Sequence, residues 1–260
     1  IQRQLQPMQS LPVNGPVILC EGAIVQYSAP EYPGLKYQWS VSPADAGVIH
    51  TGQGTPNVEV YWPRSGVYNL VLNVCSNKTT ISVSVWSNPK PMLNYPAGVC
   101  AGEKAQATVL NNYTDYRWKT ESGAEIGQSK TAELGPGNYA LVATDSRGCK
   151  GTAEFTVQEY PKPNLTITTT DPTGFCNNSR IVTMSALTTD DGDYQYAWFR
   201  DGVSINVNQP EFSTSKYGDY SATVTNKYGC TASDGIIRVF EYCIGDGSGV
   251  CHNSGHVPCP

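Results

Sequence analysis

The chain has 260 residues, a formal net charge of −5 and only 15% charged residues. That balance supplies no basic face for nucleic acid or for an anionic membrane surface. No apolar run approaches the roughly 18 residues of a spanning helix, which argues against membrane insertion.

In chain order, the opening "IQRQLQPMQS" shows no signal peptide, and the chain reads as a mature protein or a fragment of a longer one. Cys20 comes next, then "YQW" with Tyr37 and Trp39. In "YNLVLNV", Tyr68, Leu70, Leu72 and Val74 fall on one face and Asn69 and Asn73 on the other. In "ISVSV", Ile81, Val83 and Val85 alternate with serines. Period two with one polar face predicts half-buried antiparallel strands. Cys75 lies between these two runs, and "PKP" follows at Pro89–Pro91.

The same series then recurs. Cys100, "YRW" (Tyr116, Trp118), Gly137-x-Tyr139 and Cys149 lead to a second "PKP" at Pro161–Pro163. Cys176, "YAW" (Tyr196, Trp198), Gly218-x-Tyr220, the alternating "YSATVTN" and Cys230 complete a third series. The turn signals "SRG" and "KYG" separate the last two strands of the second and third series, as in hairpins. Four markers in one order, with tryptophans 79 and 80 residues apart (118 less 39, 198 less 118), define a tandem array of three modules. The expected boundaries are 1–88, 92–160 and 164–242, with 243–260 a Gly/Cys-rich linker or the start of a further module. Two prolines in each joint fix φ and remove donors, so the joints should be extended and fairly stiff.

Each module reads as about seven short strands, and the fold class as all-β, a tandem array of β-sandwiches. Tyr and Trp two apart share a strand face. Trp39, Trp118 and Trp198, with Tyr68, Tyr139 and Tyr220, are therefore the expected core, and a sugar-stacking platform is the alternative. Gly-x-Tyr is similar to the tyrosine corner that opens the penultimate strand of Ig-like sandwiches. Nine cysteines, six in register with the repeat, point to disulfides and an oxidising compartment, against the alternative of buried free thiols.

The stretches "LCEGAIVQYSAP", "GQGTPNVEVYW" and "SGVYNLVLNVC" resemble the PKD-like modules of secreted Bacteroidota proteins. "VCAGEKAQATV" with "GNYALVATDSRGC", and "FCNNSRIVTMSAL" with "GDYSATVTNKYGC", resemble Ig-like repeats of the same proteins. The resemblance covers roughly residues 12 to 242. It implies a segment of a long cell-surface adhesin, of the gliding-motility type exported by type IX secretion. It also implies an extracellular location, other modules of the same chain as partners, and surface glycans or proteins as further ones. The first module departs from the pattern with "NVCSN" in place of a "GC" turn, and the third with "CNNS" in place of Cys-x-Gly. A binding module using its loops for a sugar or protein is the competing function class.

Catalytic chemistry finds little support. There are three histidines, His50, His252 and His256, and no nucleophile-elbow, zincin or phosphate-loop motif. A Ser/His/Asp triad would have to use His50. In the tail, Cys251, His252, His256 and Cys259 are zinc-type ligands at a spacing that matches no ordinary finger, and Cys243, Cys251 and Cys259 read more simply as disulfide partners. Asp190, Asp191 and Asp193 are candidate calcium ligands, against a solvated acidic turn; no other cofactor is expected. The sequons at Asn77, Asn112, Asn164 and Asn177 are what an Asn- and Thr-rich chain contains by chance.

Two disulfide maps stand on the sequence. Pairing within modules, Cys20–Cys75, Cys100–Cys149 and Cys176–Cys230, is the simpler, with loops of about 50 residues contributing about 4 kcal/mol each. Ig-like geometry opposes it. The early cysteine precedes strand B and the late one follows strand F, about 15 to 20 Å away, while a bridge needs Cα atoms within about 7 Å. Cys20–Cys149 and Cys100–Cys230 form the cross-module alternative.

Overall fold

The computed structural model describes residues 11–175, 180–189 and 192–241. Every named element in it is a strand, and the strands form six sheets in three consecutive pairs. The chain is all-β, a tandem array of Ig-like β-sandwich modules.

The first set comprises β1 (Ile18–Cys20), β2 (Ala23–Ser28), β3 (Tyr37–Ser42), β4 (Val48–Thr51), β5 (Asn57–Trp62), β6 (Gly66–Val74) and β7 (Asn77–Trp86). They form sheets β1-β7-β6-β3 and β2-β5-β4. The second set is β8 (Leu93–Asn94), β9 (Gly98–Cys100), β10 (Ala105–Val109), β11 (Asp115–Thr120), β12 (Glu125–Gly127), β13 (Thr131–Leu134), β14 (Gly137–Thr144) and β15 (Lys150–Tyr160). Its sheets run β12-β11-β14-β15-β9 and β13-β10-β8. The third set is β16 (Thr166–Thr169), β17 (Gly174–Phe175), β18 (Val182–Leu187), β19 (Tyr194–Arg200), β20 (Val203–Ser204), β21 (Glu211–Thr214), β22 (Gly218–Asn226) and β23 (Thr231–Glu241). Its sheets run β17-β23-β22-β19-β20 and β16-β18-β21.

Packing groups the chain into two compact units. One holds Ile1–Tyr95, Gln106–Glu133 and Asn138–Thr156; the other holds Pro96–Ala105, Leu134–Gly137 and Val157–Pro260. The dividing line runs through strands of the second set, and each disulfide described below lies inside one unit.

Alternation builds the cores. In β6, Leu70, Leu72 and Val74 are buried while Val67 and Asn69 are exposed; in β22, Tyr220, Ala222 and Val224 are buried. In the first set, Tyr27, Val58, Val60 and Trp62 from one sheet close against Trp39, Leu70, Leu72 and Val83 from the other. In the third, Val182, Met184 and Ala186 meet Trp198, Tyr220 and Val239. Removing such apolar surface from water is the main stabilising term for modules this small.

Trp39, Trp118 and Trp198 occupy one repeated position. Each is at most 2% exposed, and each sits opposite an apolar residue of the penultimate strand: Leu72, Leu141 and Ala222. Each indole Nε1 donates to a backbone carbonyl, at Thr55, Ser129 and Gln209 respectively, over 2.9, 2.8 and 2.9 Å. They are core, with both the ring and the N–H accounted for.

Trp62 is equally buried, but its Nε1 has no hydrogen-bond partner. This contrast gives a test. Trp39→Phe removes the donor to the Thr55 carbonyl, whereas Trp62→Phe deletes a group that is already unpaired. We expect Trp39→Phe to cost about 1 kcal/mol more in urea melts, the net worth of one buried bond. Equal costs would contradict the assignment of the two indoles.

The tyrosines divide. Tyr220 is 1% exposed and its hydroxyl donates to the Lys216 carbonyl at 2.9 Å. Tyr68 and Tyr139, expected in the core, are only half-buried. Tyr68 stacks on Trp62 with ring centroids 6.0 Å apart, and Tyr139 on Phe155 at 5.8 Å. The glycine of the Gly-x-Tyr pair has a steric reason in the first module. Gly66 has φ of +156°, and a Cβ there would meet the Tyr68 ring at 2.6 Å. The tyrosine folds back over its own glycine and lies across the sandwich rim instead of inside it.

Candidate functional site: the disulfide-bonded joints

The turn between the last two strands of the second module is shaped by Asp145. Its Oδ1 accepts from the backbone N–H of Arg147 and Cys149, at 2.9 and 3.0 Å. In the third module Asn226 Oδ1 accepts from Tyr228 and Cys230, both at 3.0 Å. Such a side-chain-capped turn needs one residue in the left-handed region, and Gly148 (φ +87°) and Gly229 (φ +84°) supply it. A Cβ on either would meet nothing within 4 Å, so the requirement for glycine is conformational and not one of space. The "GC" dipeptide is thus a device that fixes the late cysteine at the tip of the hairpin.

The early cysteine is fixed by a different element. β1 pairs in parallel with β7 so that Cys20 lies opposite Trp86, the last residue of that strand. β9 pairs in parallel with β15 so that Cys100 lies opposite Tyr160, again the last residue. Each early cysteine therefore stands where its module passes into the following joint.

At these points the chain is cross-linked. Cys20 bonds Cys149 with Cα atoms 5.5 Å apart, and Cys100 bonds Cys230 with Cα atoms 5.7 Å apart. This is the cross-module map. The within-module map is corrected: Cys75 is a free, exposed thiol, in the two-residue turn between β6 and β7. The physical reason is the length of β7. Cys20 is level with its last residue and Cys75 precedes its first, so the 10 residues of β7 hold them about 30 Å apart. Cys176 lies outside the described residues.

The joints carry further contacts of matching kind. At the first, the Arg147 guanidinium lies 5.2 Å from the centroid of the Trp86 ring. Asn88 Nδ2 donates to the Glu21 carbonyl at 2.9 Å. A Cβ at Gly151 would sit 1.7 Å from the Pro89 carbonyl oxygen, so the strand that follows Cys149 lies directly on the PKP segment. At the second, Tyr228 stacks on Tyr160 with centroids 4.3 Å apart and planes 9° from parallel, and Lys227 lies over Tyr228 at 5.0 Å. Asn226 Nδ2 donates to the Pro161 carbonyl at 2.8 Å. Lys162 of the second PKP pairs with Glu103 at 2.9 Å, an exposed contact of small energetic weight. The residue two before the late cysteine, Arg147 or Tyr228, thus covers the aromatic ring that ends the preceding module, Trp86 or Tyr160. The repeat places these residues, though no local pattern in the sequence marks them as contacts. The signal that could find them is one of position: an aromatic residue three before the first proline of one PKP and one before that of the other.

Shallow polar clefts lie on the sandwiches. One of about 500 Å³ is lined by Asn14, Gln26, Ser28, Thr51, Asn57 and Glu59 around Tyr27. Tyr27 is 1% exposed, its hydroxyl donates to the Pro16 carbonyl at 2.9 Å, and burial pushes its pKa up to about 12. The nearby Trp62 indole eases that rise, although it makes no well-formed hydrogen bond. A neutral phenol sealed in this way offers no face for a sugar to stack on.

The shifted carboxyls are exposed ion-pair partners. Arg64 holds Asp45 below the usual carboxylate range, and Arg238 does the same for Asp219. Glu125 is lowered by Gln128 first and by Arg117 second. His50 lies exposed on β4. Of the calcium candidates, Asp193 is exposed just before β19, while Asp190 and Asp191 lie outside the described residues, as do Cys243, Cys251, His252, His256 and Cys259. No group of three His, Cys, Asp or Glu among the described residues is arranged to hold a metal ion. No described helix is long and apolar enough to cross a membrane.

No family model and no curated protein matches the chain. Solved structures of similar fold include extracellular domains 3–5 of Drosophila OTK (13% identity, 88% of this chain, 97% of that one, TM-score 0.34). A titin I67–I69 fragment is also similar (11%, 90% and 98%, TM-score 0.33). So is the Ig1–Ig3 ectodomain of mouse nectin-like molecule 4 (11%, 88% and 98%, TM-score 0.30). Likenesses this distant say nothing about what the chain binds.

Proposed function

We propose that this chain is a non-enzymatic, extracellular repeat segment of a cell-surface adhesin, serving as its stalk or spacer. The observation that carries the reading is the repeated cross-link. At two successive joints, the early cysteine of one module is bonded to the late cysteine of the next. Disulfides of this kind persist in oxidising surroundings, which supports an extracellular location. A cross-link at the joint, in the same place each time, serves the connection between modules.

On this reading the modules span 1–88, 92–160 and 164–242, and the partners are chiefly other modules of the same chain. The PKD-like and Ig-like resemblance supports a gliding-type adhesin exported by type IX secretion. Calcium binding by Asp190, Asp191 and Asp193 remains part of the proposal.

A second reading, a carbohydrate- or protein-binding module, draws on the polar cleft beside Asn57 and Glu59. A glycan array probed with the full chain separates the two. The spacer reading expects no retained glycan. Binding that is lost in Asn57→Ala would move the function to the cleft.

A further inference from the structure

The two disulfides do more than close two joints, because their loops interlock. The bonded cysteines run 20, 100, 149, 230 along the chain, and the bonds join the first to the third and the second to the fourth. We propose that this arrangement makes the chain an extension-limited tether, in which tension applied at the ends is carried by one short covalent route. The inference rests on the spacer reading and adds the load-bearing element to it.

The route follows from counting. Without the bonds, the path from Cys20 to Cys230 has 210 peptide steps (230 less 20). With them there are three shorter paths. One crosses Cys20–Cys149 and continues forward for 81 steps (230 less 149). Another runs forward for 80 steps (100 less 20) and crosses Cys100–Cys230. The third crosses the first bond, runs backward from Cys149 to Cys100 over 49 steps (149 less 100), and crosses the second bond. The shortest path becomes taut first and the others stay slack.

At about 3.5 Å per residue, the cap on the Cys20–Cys230 distance is about 170 Å, against about 730 Å for the uncross-linked chain. Two consequences follow. The segment from Cys100 to Cys149, which contains Trp118, bears the load with its chain direction reversed. Strands β2 to β7 of the first module lie on a slack branch, so tension past the cap point does not peel them. Bonds confined to single modules would leave every joint in the load path and the chain direction unreversed.

The experiment is single-molecule stretching of the full chain between handles at its two ends, with and without a phosphine reductant. The oxidised chain should release about 560 Å less contour length than the reduced one, the length of 161 bypassed steps (210 less 49). The double variant Cys100→Ser/Cys230→Ser should show a shortfall of about 450 Å, for the 129 steps that the remaining bond spans. A wild-type shortfall of only 450 Å, or none, in protein whose two bonds are confirmed by non-reducing peptide mapping would overturn the tether and leave the spacer reading standing. Peptide mapping that found neither bond would overturn both.

Discussion

Replacing Cys20 and Cys149 together by serine should lower the unfolding free energy of the unit that contains them by about 5 kcal/mol. The bond closes a sequence separation of 129 residues, and the chain-entropy relation gives about 5 kcal/mol for a loop of that size. The native joint contributes little strain to offset this, since the other contacts there hold both cysteines in place without the bond. Asp145 fixes the hairpin tip, and the β1–β7 pairing fixes Cys20. The control is Cys75→Ser. Cys75 is exposed, makes no bond and occupies a turn at φ +54°, so its loss should shift a urea midpoint by no more than a surface substitution does. A severe loss in Cys75→Ser, with a still larger one in the double variant, would restore the within-module map, in which Cys75 pairs with Cys20 and Cys149 with Cys100.

The fold was legible in the sequence because its signals are local. Alternation in "YNLVLNV" and "YSATVTN", and the "YxW" and Gly-x-Tyr markers, each reflect the face of one strand. The repeat multiplied each signal by three. Strand parity sets Tyr68 and Tyr139 too deep because it tells which face a residue is on, and not how near the rim it lies. The joints were harder. The late cysteine is positioned by its own turn, and "DSRGC" and "NKYGC" both spell out that turn, with an Asx acceptor, a glycine and the cysteine. Its partner is decided elsewhere, by a three-residue parallel pairing of β1 with β7 or of β9 with β15. Three residues are too few for periodicity to detect, and the turn that follows each of them, at Gly22 and Gly102, does not reveal which strand they pair with. Cysteine counts alone leave two maps open, and the lengths of β7 and β15 separate them, since each strand holds an early cysteine level with its last residue and a late cysteine before its first. The contact between Arg147 and Trp86 was hidden for the same reason, since it joins residues of different repeats and neither shows an unusual local pattern.

Trp118→Ala should abolish stable folding of the second module while sparing the strands on either side. Trp118 is fully buried, its indole donates to the Ser129 carbonyl at 2.8 Å, and its ring meets Phe155 edge-on with centroids 6.0 Å apart. Truncating a buried tryptophan to alanine costs about 3 to 5 kcal/mol for the cavity and lost transfer energy. The Ser129 carbonyl, stripped of its donor, adds about 1 kcal/mol more. A domain of this size has a total stability of about 5 to 10 kcal/mol, so the change removes most or all of it. The first and third modules keep their own cores around Trp39 and Trp198, each built from residues of its own strand set, and stacked repeats share only neighbour contacts. Limited proteolysis reads the outcome. Cleavage should concentrate between residues 101 and 148. The products should migrate together without reductant, because Cys20–Cys149 and Cys100–Cys230 both span any cut in that interval. They should separate once the bonds are reduced. Cleavage spread evenly over all three modules would show that the cross-links couple them into a single cooperative unit. Unchanged resistance would show that Trp118 contributes far less to the core than its burial implies.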